Sequence, residues 1–530
     1  MNNAVRSPLP LSISHVEPLS GDQPGRLVER VISHLEAVLA GGTVQPGGRL
    51  PSERTVAIDL HVSRNTVAAA YDELEDRGLI RRMRGKGAFM CNPRDHGELF
   101  SWSGKLSSTA HSLDEPVLEM LARNGASDVP YPLSAGTPSL ACFPHEMYKI
   151  AVNKVISEDF PGALAIAPTE GQNRLRNSIA SWTGVEANRV MITSGAQEGI
   201  DLLARCLIGP GDIAIVEAPT YPGVLQSLRA AGARLAEWST DWSLEELEQL
   251  IIRYRPKLIF TTPTFQNPTG RVMSITTREG LLDLARRYYI PLIEDDVYGK
   301  TYFDQRPGPP SLAKLDRHSQ VIYVSTFSKM LAPGLRIGWI VAPKYMVKQL
   351  SLMKMRANLF TGGLNQLVLA NLIDSGNFDR HLENLRRQHA VLRNAAVSSA
   401  QQLADGGLIT FSRPIGGLYL WCKVVGRLDL ETFLEKAAER GVSVAPGQAF
   451  FASDQCSSFF RICFTTLPET QLRKGIERLH GALKDVRESH HTHSNDLIMT
   501  SHKRSSRGQE TLQGKPIGAF LELTLGRVGF

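Results

Sequence analysis

The chain has 530 residues, of which 42% are hydrophobic and 21% charged, with a formal net charge of +6. These values describe an ordinary globular protein long enough for two or three domains, and the charge is too small for the length to argue for a nucleic-acid partner. Prolines in the opening MNNAVRSPLPLSIS, no run near membrane-spanning length, and six cysteines without a CxxC pair predict a cytoplasmic chain with no membrane segment.

Residues 20–93 carry short helical patterns. The stretch from Gly48 to Ala57 opens a helix, with Ser52 as its N-cap and Glu53 in the first turn, running to about Leu60. After His61-Val62, Ser63 caps a second helix from Arg64 to Leu74, whose Val67, Ala70, Tyr71 and Leu74 are spaced to face a core. A helix, a short turn and a helix is helix-turn-helix spacing. Arg64, Asn65 and Thr66 then fall at the end of the second helix that meets base edges in the major groove. After Gly78, residues 79–90 read as two strands around a glycine turn, with basic and no acidic residues between Arg77 and Arg94. Alone, that run would be a solvated basic loop. Behind two capped helices it reads as a wing that reaches phosphate or the minor groove.

Leu50-Pro51-Ser52-Glu53-Arg54, Val62 through Val67, Tyr71, Leu74, Gly78 and Gly85 together resemble the winged-helix domain of the GntR family over about residues 25–90. The resemblance places Arg54, Arg64 and Gly85 at DNA-contacting positions. Ser52, Ser63, Asn65, Thr66 and Lys86 complete the expected DNA-facing set. Some family members carry a further arginine where this chain has Ala68, which implies a different contact set.

Residues 94–130, rich in Ser, Gly, Asp and His, read as a linker. From 131 to 486, apolar strands such as Val190–Thr193, Asp212–Val216, Lys257–Thr261, Pro291–Asp295 and Val321–Val324 alternate with amphipathic helices. The pattern predicts an α/β domain built on a doubly wound, mostly parallel sheet. The polar residues 487–530 are expected to be a disordered tail.

Motifs follow the strands in order. Thr193-Ser194-Gly195 opens a helix whose N-terminus suits a phosphate, and Gly195 allows close approach. Tyr221 offers a face for a pyridine ring, although a core tyrosine would look the same. Asn267, in an Asn-Pro turn, can donate to a ring O3′, as can Tyr298. A carboxylate of Glu294-Asp295-Asp296 can pair with a pyridinium nitrogen. Three acids would also suit a metal, but no further His or carboxylate cluster accompanies them, so no metal is expected. Lys329 suits an imine to pyridoxal 5′-phosphate, with Arg336, Thr326 and Ser328 neutralising the phosphate.

This order resembles fold-type I, aspartate aminotransferase-like enzymes over roughly residues 131–485. The resemblance implies a large domain with a smaller C-terminal α+β subdomain. It makes Lys329 the Schiff-base lysine, Asp295 the pyridine-nitrogen partner, Asn267 and Tyr298 the O3′ partners and Tyr221 the stacking residue. Ala196, Gln197, Thr326, Ser328 and Arg336 would hold phosphate, Arg461 the α-carboxylate of a substrate or effector, and Gly136 would line that site. One departure stands out: where the family carries a tyrosine reaching the neighbouring subunit's phosphate, the alignment places Ile166.

A GntR-type winged helix joined to an aminotransferase-like domain resembles the MocR/GabR-like regulators. That resemblance implies a head-to-tail homodimer that binds operator DNA and senses an amino acid, an amine or pyridoxal phosphate itself. A working aminotransferase with an accessory DNA-binding domain is the alternative.

Overall fold

The computed structural model describes residues 24–40, 44, 47–83, 87–91, 129–426, 430–453 and 458–506, with backbone alone at 24–26, 40 and 488–506. Gly85, Lys86 and the expected linker up to residue 128 lie outside the described residues. Two compact units divide the chain.

In the first unit, α1 (Pro24–Ala40), α2 (Glu53–Asp59) and α3 (Arg64–Asp76) precede the hairpin of β1 (Ile80–Met83) and β2 (Gly87–Met90). The hairpin is antiparallel, with Arg82 opposite Ala88. Ser52 and Ser63 cap α2 and α3 as their positions require, each accepting from the backbone N–H three residues on. Val67, Ala70, Tyr71 and Leu74 of α3 pack with Val31, Leu35, Val56, Leu60 and Ile80 into one small core. The Tyr71 hydroxyl, buried there, donates to the Pro51 carbonyl at 2.8 Å and ties α3 to the segment before α2.

The second unit begins with β3 (Tyr131–Pro132), α4 (His145–Leu164) and α5 (Asn173–Thr183). Then strand and helix alternate: β4 (Val190–Thr193), α6 (Ala196–Leu207), β5 (Ile213–Ala218), α7 (Pro222–Ala230), β6 (Arg234–Ser239), α8 (Leu244–Tyr254), β7 (Leu258–Thr261), α9 (Ile275–Arg287), β8 (Leu292–Asp295), α10 (Leu312–Leu315) and β9 (Val321–Thr326). The short β10 (Gly338–Val341) follows, then α11 (Lys344–Ala357), α12 (Gly363–Asp374) and the long α13 (Asn377–Asp405). These strands form one seven-stranded sheet in the order β4-β10-β9-β8-β7-β5-β6. Only β10 runs against its neighbours, so β4 still points the same way as the parallel strands. Alternate side chains face opposite helical layers. Phe260, Ile293, Ile322 and Val324 join Ile200, Leu203 and Leu228, whereas Ile259, Leu292 and Val321 join Leu247, Leu281 and Leu284.

The small subdomain has β11 (Ile409–Phe411), β12 (Tyr419–Val424), α14 (Leu430–Glu439), β13 (Val442–Ser443), β14 (Ala445–Pro446), β15 (Phe459–Cys463) and α15 (Glu469–Ser506). Its four-stranded antiparallel sheet has the order β11-β12-β15-β14, and β13 pairs with β3. Helix α13 spans both layers of this unit: Phe378, Leu382 and Leu385 pack into the large core, Leu392, Ala396, Ala400 and Leu403 into the small one. Backbone helix continues to Ser506, past the point where polar composition led us to expect order to end, and residues 507–530 lie outside the description.

Candidate functional site

In the first unit, the expected DNA-facing residues divide by what already engages them. The Ser52 hydroxyl accepts from the Thr55 N–H at 3.2 Å, and the Ser63 hydroxyl accepts from the Thr66 N–H at 3.1 Å. Ser63 and Thr66 also bond to each other at 2.8 Å. Ser52, Ser63 and Thr66 therefore use their hydroxyls to build the helix starts, which leaves backbone N–H groups and the neighbouring side chains to meet a phosphate or base. Arg54 and Asn65 are exposed, and Arg64 keeps 71% of its side-chain surface while reaching Glu53 at 3.4 Å. One wing arginine serves a different purpose than its charge suggests: Arg82 is fastened to Asp72 and, at 2.7 Å, to Glu75, both on α3. Those acids lie three residues apart on the outer face of α3, a pattern visible in the sequence but not connected there with the wing.

In the second unit, Gly195, Tyr221, Asn267, Asp295, Tyr298 and Lys329 lie at or after the ends of strands that point the same way, so they converge, while Gly136 comes from the segment after β3 and Arg336 from the one before β10. Gly136, Tyr221, Asn267, Asp295, Tyr298, Lys329 and Arg336 line one cavity of about 540 Å³ together with Ala196, Gln197, Thr326, Ser328 and Arg461, whereas Gly195 is not among its lining residues. Gly195, just before Ala196, takes φ +90°, and a Cβ there would sit 2.8 Å from the Arg336 guanidinium. Arg336 itself donates to the Ser194 carbonyl at 2.9 Å, which holds a cation beside the first turn of α6. The Thr326 hydroxyl lies 3.0 Å from Ser328 Oγ and 2.9 Å from the Ile337 carbonyl. Gln197 faces the helix side, its amide donating to the Gly223 carbonyl and to Ser227. Its Oε1 is buried without a partner.

The charges of this cavity are not paired with one another. Lys329 Nζ donates to the Gly136 carbonyl at 2.6 Å, and burial holds its ammonium down to about 8. Asp295 Oδ1 is buried and unpartnered, and burial, with Asp296 and Glu217 adding to it, pushes the carboxyl up to about 7. Arg461, on β15, donates to Asn267 Oδ1 at 2.9 Å and to the Ser134 carbonyl at 2.8 Å, with its Nε left unpartnered. Its guanidinium lies 4.1 Å above the Tyr419 ring and 5.0 Å from that of Phe450. The two remaining acids of the run are committed to the fold. Glu294 accepts from the Leu312 and Ala313 N–H groups, and Asp296 accepts from the Tyr323 hydroxyl. No cluster that could hold a metal ion exists among the described residues.

A buried carboxylate, a lysine whose ammonium burial disfavours and a buried arginine without a counter-ion, Arg461, are costly alone and are relieved once a ligand with an anionic group and a ring nitrogen fills the space, with the exposed Arg336 at its edge. A phosphorylated pyridine aldehyde fits each of them. Its phosphate would lie at the first turn of α6 beside Arg336, its ring nitrogen at Asp295, its ring oxygen toward Asn267 and Tyr298, and its aldehyde carbon at Lys329. Arg461 is left for a carboxylate on a second ligand. Ile166, expected to replace a phosphate-binding tyrosine, follows α4 on the surface, 85% exposed. Sequence reasoning missed Tyr419 and Phe450, whose rings frame Arg461. No spacing signal ties them to the motifs on the parallel strands.

Comparison with known proteins agrees with both units. The model for aminotransferase class I and II matches residues 132–479, and that for bacterial regulatory proteins of the gntR family matches residues 27–90. The chain is 30% identical to the probable rhizopine catabolism regulatory protein MocR of Rhizobium meliloti, over 86% of this chain and 93% of that one. It is 33% identical to aromatic-amino-acid aminotransferase 1 of Thermococcus litoralis, over 70% of this chain and 91% of the relative. The crystal structure of LysN, an α-aminoadipate aminotransferase from Thermus thermophilus complexed with N-(5′-phosphopyridoxyl)-L-leucine, superposes with a TM-score of 0.69 at 31% identity. It covers 73% of this chain and all of LysN.

Proposed function

From a chain that belongs to the class I and II aminotransferase family and carries a GntR-family helix-turn-helix domain before it, the architecture of MocR-type regulators, we propose a sensing regulator. It is a DNA-binding transcriptional regulator whose second unit binds pyridoxal 5′-phosphate and uses it to sense an amino acid, an amine or the cofactor itself. The observation that carries this reading is the set of unpaired buried charges, Lys329, Asp295 and Arg461, in the same chain as a capped, arginine-bearing recognition helix. When bound, the cofactor supplies an electrophilic carbon and an electron-withdrawing ring. Lys329, whose ammonium is lowered to about 8 by burial, would bind that carbon; Asp295 would keep the ring nitrogen protonated; Asn267 and Tyr298 would orient the ring oxygen; Arg461 would orient an incoming carboxylate. Ligand binding that favours one geometry of the second unit then biases DNA affinity by its differential affinity for the two states. Exposed apolar side chains, Leu140, Ile150, Leu164 and Ile166 among them, offer a surface for a second copy, as a homodimer of this fold requires.

The test measures binding of a duplex taken from upstream of the protein's own gene, with and without pyridoxal phosphate and a panel of amino acids. The expected result is an affinity shift that Lys329→Ala abolishes. A shift that survives in Lys329→Ala sinks the sensing role. The second reading, a turning-over aminotransferase, is favoured by the completeness of the lysine, carboxylate and arginine set. It predicts 2-oxo-acid product accumulating over many turnovers, an outcome that exposed Ile166 argues against.

A further inference from the structure

Tyr298 and Tyr419 meet inside the cavity. Their hydroxyl oxygens are 2.9 Å apart and their rings stand edge to face, with centroids 5.7 Å apart. Tyr298 follows β8 of the large sheet and Tyr419 begins β12 of the small one, so this contact joins the two layers of the second unit. The Tyr419 hydroxyl is also 3.5 Å from the Gly136 carbonyl that accepts from Lys329. A Cβ at Gly136 would come within 2.9 Å of it, so the phenol occupies the space that a side chain at 136 would need. Among the described residues, Asp295, Arg461, Cys463 and Tyr221 are charged or titratable groups facing the pair, and Lys329 shares the Gly136 carbonyl with Tyr419.

A phenol carries one proton and donates once. If the Tyr298 proton is directed at the cofactor's ring oxygen, the bond between the two tyrosines has to be donated by Tyr419. Either hydroxyl can donate across the 2.9 Å contact, so the direction is set by the ring oxygen; once Tyr298 spends its proton there, Tyr298 at 2.9 Å is a nearer acceptor for Tyr419 than the Gly136 carbonyl at 3.5 Å.

We propose that Tyr419 is a positioning residue for the cofactor: its hydroxyl donates to Tyr298 and turns the Tyr298 proton toward the ring oxygen, while its ring seats Arg461. The inference rests on the site assignment made above. Hydrogen bonds in series strengthen one another, so losing the Tyr419 hydroxyl weakens Tyr298 as a donor to the ring oxygen. A less stabilised ring anion is harder to form, and the visible band of the bound cofactor then titrates at higher pH.

Absorbance titration of the full chain loaded with pyridoxal phosphate provides the test. Tyr419→Phe is expected to raise the midpoint by roughly half a pH unit, and Tyr298→Phe to raise it more. The double variant should match Tyr298→Phe alone, because the first hydroxyl acts only through the second. An unchanged midpoint in Tyr419→Phe, or a double variant shifted beyond Tyr298→Phe, overturns the proposal. Propionate serves as a probe of Arg461: Tyr419→Leu should weaken its binding and Tyr419→Phe should leave it. Equal weakening by both variants removes the role assigned to the ring. A parent protein with no visible cofactor band fails the site assignment itself, independently of either tyrosine.

Discussion

The two units handle polar groups in opposite ways. In the winged-helix unit the functional groups are on the surface and their partners are close along the chain: Ser52 with Thr55, Ser63 with Thr66, Arg64 with Glu53. In the cofactor unit most of the candidate groups are buried or half-buried, several keep an unpartnered atom, and their contacts are far apart in sequence: Lys329 with Gly136, Arg461 with Asn267 and Ser134. A surface that meets DNA can be satisfied before DNA arrives, because water solvates what the caps leave free. A cavity that meets a charged cofactor is held open at an electrostatic cost that only the ligand relieves. The difference teaches where ligand-linked stability should reside, namely in the second unit.

The largest expected effect breaks the comparison at its centre. Lys329→Ala should abolish covalent capture of pyridoxal phosphate, read as loss of the borohydride-trapped adduct on the peptide containing residue 329. Duplex binding in the absence of cofactor should remain. If that binding is lost as well, DNA binding depends on Lys329 even without cofactor.

Next is the cost of the charges buried around the cavity. Burial raises Asp295 from 3.8 to about 7, so between those values the folded protein keeps a proton that the unfolded chain has lost. Without cofactor, stability should therefore fall as pH rises through that window, with the full penalty present above pH 7. Asp295→Asn should remove up to roughly 4 kcal/mol of it, judged by urea midpoints at pH 4.5 and pH 8. Lys329 acts in the opposite sense: its ammonium, lowered from 10.5 to about 8, makes stability rise with pH between those values. Saturation with pyridoxal phosphate should flatten both slopes. Slopes that persist with ligand bound would place the penalty elsewhere.

On the DNA side, Arg64→Ala should weaken operator binding by about 1–3 kcal/mol, some tenfold to hundredfold, and leave the cofactor's absorbance unchanged. A uniform loss across all duplex sequences would reassign Arg64 from base to phosphate contact. The smallest effect belongs to the helix cap. Ser63→Ala should cost about 1 kcal/mol in the first unit's unfolding and weaken duplex binding only as far as α3 frays.

Much of this was legible because it is local. Capping serines, core positions on α3, and the strands that end at Thr193, Thr261 and Asp295 are fixed by spacing and β-branched runs. The run around Lys329 is equally local. Arg82 was legible as a positive charge but not as a clasp to α3, since its partners are set by how the hairpin folds back. The continuation of α15 to Ser506 escaped a reading based on hydrophobic periodicity, because the polar residues there give no amphipathic pattern.

By itself, then, the sequence determined which elements form, in what order, and which residue types stand at the strand ends, because hydrogen-bond caps and periodic burial act over a few residues. The tertiary structure decided which of those groups face one another: Arg461 over Tyr419, Tyr419 against Tyr298, Lys329 on Gly136. The physical reason is that a buried charge or hydroxyl must find its partner wherever packing brings one. Here packing brings the start of β12 and the middle of β15 beneath the carboxyl ends of the parallel strands.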